Sequence, residues 1–231
     1  MNPVALRKTF MTIVVQTLSE QIFSLVRDRI ISGKLPTDTA IRQDALAAEL
    51  GVSKIPLREA LARLEQEGLL LSHANRGFFV RPLNADEVEE VFALRLKLEP
   101  EAVGEAAKVA TDADRKAART ALDALDVAAS GDKTQVGKLN RAFHMSLVYP
   151  LHRQITVQII ERLNIISERY VGKHLEPAGR DDRAHNEHLA LFELWSTGKS
   201  DEVSALMRQH IAMTLEDLRK QFETEKTAAS A

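Results

Sequence analysis

Three of the seven histidines, His144, His188 and His210, fall in three separate stretches of helical periodicity. Imidazoles on neighbouring helices of an antiparallel bundle can converge, and three of them around a cavity suit Zn²⁺, Ni²⁺ or Mn²⁺. Asn140 stands one helical turn before His144, so its amide oxygen projects from the same face. A histidine beside apolar residues, as in Phe143-His144, is more often a hydrogen-bonded core residue, and spacing alone leaves that alternative open. His185, one turn ahead of His188, is either an outer partner of such a site or an exposed residue. Arg95 interrupts the apolar stretch FALRLKL. Facing a bundle interior it needs a partner, and a carboxylate meets its fork bidentately. A protein acid or a surface position are equal alternatives for it.

The same histidines could in principle activate water in a metal-dependent enzyme. No HExxH occurs, and the string His185-Asn186-Glu187-His188 has the wrong spacing for two ligands on one helix face with a base between them. Cysteine is absent, which removes disulfides and thiolate metal sites and permits a reducing, cytoplasmic setting.

A second group of residues carries a different chemistry. Lys54 and Arg58 lie four apart, opposite the core positions Leu57, Ala60, Leu61 and Leu64. Gly51 stops the preceding short helix, Val52 plugs the corner, Ser53 is placed to N-cap the next helix, and Pro56 falls in its first turn. Two short helices around such a turn, with a basic outer edge, form a helix-turn-helix whose second helix fits the major groove of DNA. LLLS and FFVR then flank the turn HANRG, a strand pair whose tip carries Arg76 and Gly77. That is a wing. The DNA-facing set is therefore Arg42, Ser53, Lys54, Ile55, Arg58, Arg76 and Gly77.

The elements that position these groups divide the chain in two. The fold class is mainly α: a winged helix-turn-helix with a small β-hairpin wing, then an all-α antiparallel helical bundle. Residues 1–17 are an N-terminal extension, 18–83 the winged domain, 84–222 the helical domain and 223–231 a disordered tail. Helix one carries Leu18, Ile22, Leu25, Val26 and Ile30 as its stripe, and Pro100 is expected to kink the helix that Asn84 caps. Net charge is only −2, but residues 1–82 hold 11 Lys+Arg against 8 Asp+Glu and the rest is acidic. A mildly basic head on an acidic body fits a DNA module used in two copies. No run of about 18 apolar residues occurs, so no membrane span is expected.

RIISGKLP, LAAELGVSKIPLREALARLEQEGLL and RGFFV resemble the N-terminal domain of the GntR family of bacterial transcription regulators, over Leu18 to Leu83. EVFALRLKLEP, LNRAFHMSLV and NEHLALFELWSTGKSDEVSALMRQHI resemble the FCD-type effector-binding domain of its FadR subfamily, over Asn84 to about Leu218. The resemblance implies a homodimeric, ligand-responsive regulator, a repressor on a short inverted-repeat operator. It implies a metal held by Asn140, His144, His188 and His210, and a small carboxylate effector met by Arg95, with Arg162 and Tyr170 as further pocket residues. A sensor of metal alone is the alternative that needs no partner for Arg95. Three departures stand out: Lys54 and Ile55 replace the usual Arg-Thr pair, Thr37 replaces a glycine, and Asn140 stands where an acid is common. Lys54 cannot make arginine's bidentate contact to guanine, and Ile55 offers only apolar contact to a thymine methyl.

Overall fold

Thr17 begins the first helix with a capping box: its hydroxyl accepts the Glu20 N–H at 3.2 Å, and the Glu20 carboxylate accepts the Thr17 N–H at 2.9 Å. The computed structural model describes residues 17–35, 37, 40–131, 135–175 and 180–229. The expected N-terminal extension therefore lies outside the described residues, apart from Thr17. α1 (Leu18–Ile31) buries Ile22, Val26 and Ile30, whereas Leu18 and Leu25 are 49% and 40% exposed, against expectation. α1 packs chiefly on α3, which covers only the narrow line through the first three.

α2 (Gln43–Leu50) ends at Gly51, whose φ of 65° is the left-handed conformation that closes a tight helix-turn. α3 (Lys54–Gln66) follows with Leu57, Ala60, Leu61 and Leu64 fully buried. Ser53 occupies its N-cap but makes no capping bond, because the third helical position is Pro56, which has no N–H to donate. β1 (Leu70–His73) and β2 (Gly77–Val80) pair antiparallel from Leu70 opposite Val80 to His73 opposite Gly77. Ile41 N–H donates to the Phe78 carbonyl at 2.7 Å, which pins the base of the wing to the chain leading into α2.

The second half contains, among the described residues, helices and no strand: α4 (Ala85–Val109), α5 (Asp112–Ser130), α6 (Val136–Val148), α7 (Gln154–Leu175), α8 (Arg180–Ser196) and α9 (Ser200–Ala229). A 3-10 turn, Tyr149–Leu151, precedes α7. The two halves have separate apolar cores, and Leu83 at their junction packs against that of the helical half. α4 does not break at Pro100. The proline leaves the Leu96 carbonyl without its helical donor, and Arg208 of α9 donates to it instead at 2.9 Å. α9 extends to Ala229 rather than yielding to a disordered tail at residue 223, since Glu, Lys and Ala there are good helix formers.

Candidate functional site

His144 of α6, His188 of α8 and His210 of α9 meet inside the bundle, all three buried, with ring centroids 5.0 to 5.4 Å apart. One nitrogen from each ring lies within 4.8 Å of the others. Behind them stand two carboxylates that the sequence reading passed over. Glu99 of α4, fully buried, lies 3.1 Å from His144 Nδ1, and Glu187 of α8 lies 2.6 Å from His210 Nδ1. Arg95, four residues before Glu99 on α4, grips it through Nε at 2.8 Å and Nη2 at 3.0 Å. Asn164 of α7 adds a third donor to Glu99 at 3.2 Å.

These contacts fix protonation. Burial works to raise Glu99, but the Arg95 charge and the hydrogen bonds from His144 and Arg95 outweigh it and hold the carboxyl below the usual range. An ionised carboxylate only accepts, so His144 Nδ1 carries the hydrogen and donates it. Burial pushes His144 down to about 4, against the pull of Glu99, so the ring is neutral with its lone pair on Nε2. That Nε2 is buried and makes no hydrogen bond. A carboxylate-backed imidazole with an unengaged, inward lone pair is what a divalent transition metal requires. The three imidazoles, with the Asn140 amide on the same cavity wall, form a donor set that suits Zn²⁺ or Ni²⁺ better than Mg²⁺ or Ca²⁺.

The cavity around these rings measures about 60 Å³ and is lined by Asn140, Arg95, Tyr170, Ser167 and Thr214 together with apolar side chains. Arg95 reaches it with a guanidinium already committed to Glu99 and, through Nη1, to Ser167 at 3.1 Å. Tyr170 shows the cavity its ring; its hydroxyl donates to Glu87 at 2.8 Å and accepts the Asn84 N–H at 3.2 Å, and burial pushes it up to about 12. Arg162 is a correction: it does not line the cavity, because its position on α7 faces the winged domain, where Nη2 donates to the Gln66 carbonyl at 3.0 Å. His185 pairs with Asp126 at 2.8 Å on the cavity rim rather than backing a histidine.

α7 touches both halves of the molecule. Asn164 and Ser167 hold the Glu99–Arg95 pair, while the next residues grip the winged domain. Glu168, buried, accepts from Arg27 of α1 and, at 2.9 Å, from Arg141 of α6. Arg169 donates to the Arg81 carbonyl at the domain junction. Arg162 holds Gln66, the last residue of α3, at the negative end of that helix. Gly137 of α6 makes the approach possible: a Cβ there would stand 3.1 Å from Glu168 Cγ and 3.2 Å from its carbonyl oxygen, with Ile31 of α1 at 3.5 Å.

On the far side of the winged domain, Arg42, Lys54, Arg58, Arg76 and Gly77 line one shallow surface depression. Lys54 pairs with Asp44, and Arg58 Nε donates to Gln43 at 3.1 Å, so α3 presents its cations across the first turn of α2. Arg76 lies over the Phe79 ring at the wing tip. Ile55 is 72% exposed beside them, an apolar side chain on a polar face. Ser53 is exposed at the α3 N-terminus, where its side chain makes no capping hydrogen bond.

A winged head with a basic face, joined to a helical domain with a histidine-lined cavity, is the construction of a transcription regulator. The FCD domain family matches residues 90–213, and the family described as bacterial regulatory proteins, gntR family, matches residues 18–80. The chain belongs to the GntR family of bacterial transcription regulators and carries an FCD domain. It is 35% identical to the Nta operon transcriptional regulator of Aminobacter aminovorans over 74% of this chain and 80% of that one. It is 27% identical to a probable D-xylose utilization operon transcriptional repressor of Paenarthrobacter nicotinovorans, over 86% of this chain and 88% of that one. The solved structure of Escherichia coli McbR/YncC shares the fold, with a TM-score of 0.76 at 22% identity over 90% of this chain and 100% of that one. No described helix is long and apolar enough to cross a membrane.

Proposed function

We propose that the chain is a homodimeric, metal-containing repressor whose grip on an inverted-repeat duplex is set by a small organic acid bound in the helical domain. His144, His188 and His210 would hold the divalent ion, with Asn140 as an oxygen donor beside them. Bound there, the ion supplies a fixed positive charge to an otherwise neutral donor set. The observation that carries this reading is the buried, unengaged His144 Nε2 pointing away from a carboxylate-backed Nδ1. A core histidine kept only for packing has no use for that arrangement. The D-xylose relative is named a probable repressor, which supports the sign of regulation.

α7 is the route from cavity to DNA. A ligand that moves Ser167 or Asn164 strains the same helix that anchors α1 through Glu168 and α3 through Arg162. Since coupling is reciprocal, DNA changes ligand affinity by the factor by which ligand changes DNA affinity. Two heads on a two-fold axis match two half-sites and double a modest electrostatic footprint.

A duplex selected from a random pool, followed by fluorescence anisotropy with chelator-treated and Zn²⁺-loaded protein, tests the reading. Affinity for an inverted repeat that shifts with Zn²⁺ supports it; loss of all duplex binding, or no Zn²⁺ uptake in calorimetry, overturns it.

A further inference from the structure

We infer that Ile55 makes the winged head a reader of the C5 methyl group of one pyrimidine in each half-site, so that thymine and 5-methylcytosine are accepted there while cytosine and uracil are discriminated against. This rests on the duplex-binding reading above and names one chemical feature that the head selects.

The first argument is placement. Ile55 is the second residue of α3, in the turn that follows Ser53 and precedes Pro56. The N-terminal residues of a second helix in this motif meet base edges in the major groove. Arg58 lies three residues on and shares the outer face of the helix, opposite the buried stripe of Leu57, Ala60, Leu61 and Leu64.

The second argument is burial. Those four core side chains are completely covered, whereas Ile55 is 72% exposed. Its branched hydrocarbon therefore adds little to the packing of the head and gains by leaving water against a partner. The third argument is the setting. Arg42, Lys54, Arg58 and Arg76 line the adjoining depression, whose acid, Asp44, is paired with Lys54. A basic surface of this kind selects a polyanion. On the major-groove edge of a duplex, the apolar group available to a hydrocarbon side chain is the methyl at C5 of thymine.

Isoleucine has no donor or acceptor, so it senses the methyl and not the exocyclic group at C4. Cytosine methylated at C5 carries the same methyl and is met in the same way. Binding to a site with a C·G pair at that position thus becomes sensitive to cytosine methylation.

The test uses the full chain and the inverted-repeat duplex selected from the random pool, read by fluorescence anisotropy. Each thymine is replaced in turn by deoxyuridine, which lacks only the methyl. One position in each half-site should lose about fourfold in affinity, and replacement in both half-sites about 15-fold. Changing that T·A pair to C·G and then methylating the cytosine at C5 should return about the same fourfold. Ile55→Ala, at an exposed position, should weaken binding to the parent duplex and make it indifferent to deoxyuridine and to cytosine methylation. A scan with no sensitive thymine, a methylated cytosine no better than the bare one, or a sensitivity that survives in Ile55→Ala overturns the inference while leaving duplex binding intact. Failure to bind any duplex overturns the DNA-binding reading itself, and this inference with it.

Discussion

Replacing Glu99 by glutamine removes one negative charge from a group that touches Arg95, His144 and Asn164 without access to water. The amide keeps one acceptor oxygen but turns an NH₂ toward donors that previously shared two carboxylate oxygens. Arg95, whose side chain is 6% exposed, becomes a buried cation with no counter-charge. Removing one partner of such a pair costs about 3–5 kcal/mol. In a chain of this size about 1 kcal/mol corresponds to roughly 2–4 °C, so melting should fall by roughly 6–20 °C. His144 also loses the carboxylate that orients it, which should weaken metal affinity about 10–100-fold. Circular-dichroism melts of chelator-treated protein measure the first effect, and competition of Zn²⁺ against a chelating dye measures the second. Arg95→Met combined with Glu99→Gln removes both charges and should recover most of the lost stability without recovering the metal affinity. If the single variant melts within about 2 °C of the parent and holds Zn²⁺ as tightly, Glu99 is not the keystone of the site. A double variant no better than the single one would remove the charge argument on its own.

Zn²⁺ at about a hundred times its Kd should stabilise the folded chain by about 2.7 kcal/mol, and His188→Ala should abolish that gain in the same melting experiment. Lys54→Ala or Arg58→Ala should lower duplex affinity and, where the lost contact is to phosphate, flatten the log–log salt dependence by about one unit; an unchanged slope and affinity in anisotropy titrations would exclude both from the interface. Glu168→Gln should leave Zn²⁺ affinity within about twofold while shrinking the Zn²⁺-dependent change in duplex affinity toward none, because it breaks the Arg27 tie that carries the coupling. Retention of the full change would remove Glu168 from the route.

The winged domain was the more legible half. Gly51, the Leu57–Leu64 stripe and the Gly77 turn each impose a local geometry, and a local geometry can be read from a short stretch. Ser53 shows the limit even there, since Pro56 cancels a cap that the residue type favours. In the helical domain the three histidines were visible as types on separate helices, but their carboxylate partners were not. The spacing of Arg95 and Glu99 announces an i,i+4 pair, yet only the packing of α6 against α4 brings His144 onto it. Arg162 was misassigned for a related reason. Its helix carries cavity residues and head-gripping residues a few positions apart, and periodicity does not say which neighbour lies on which side. The partner that meets the Leu96 carbonyl opposite Pro100 is Arg208, more than a hundred residues later in the chain.

Gly137 has a consequence beyond allowing three helices to meet. The spacing between sensor and reading head at that point is set by a side chain that is missing, so any larger residue there would act as a shim between α6, α7 and α1. A single change at a residue that lines neither the cavity nor the basic face would thus re-aim the winged domain while both sites keep every side chain that forms them.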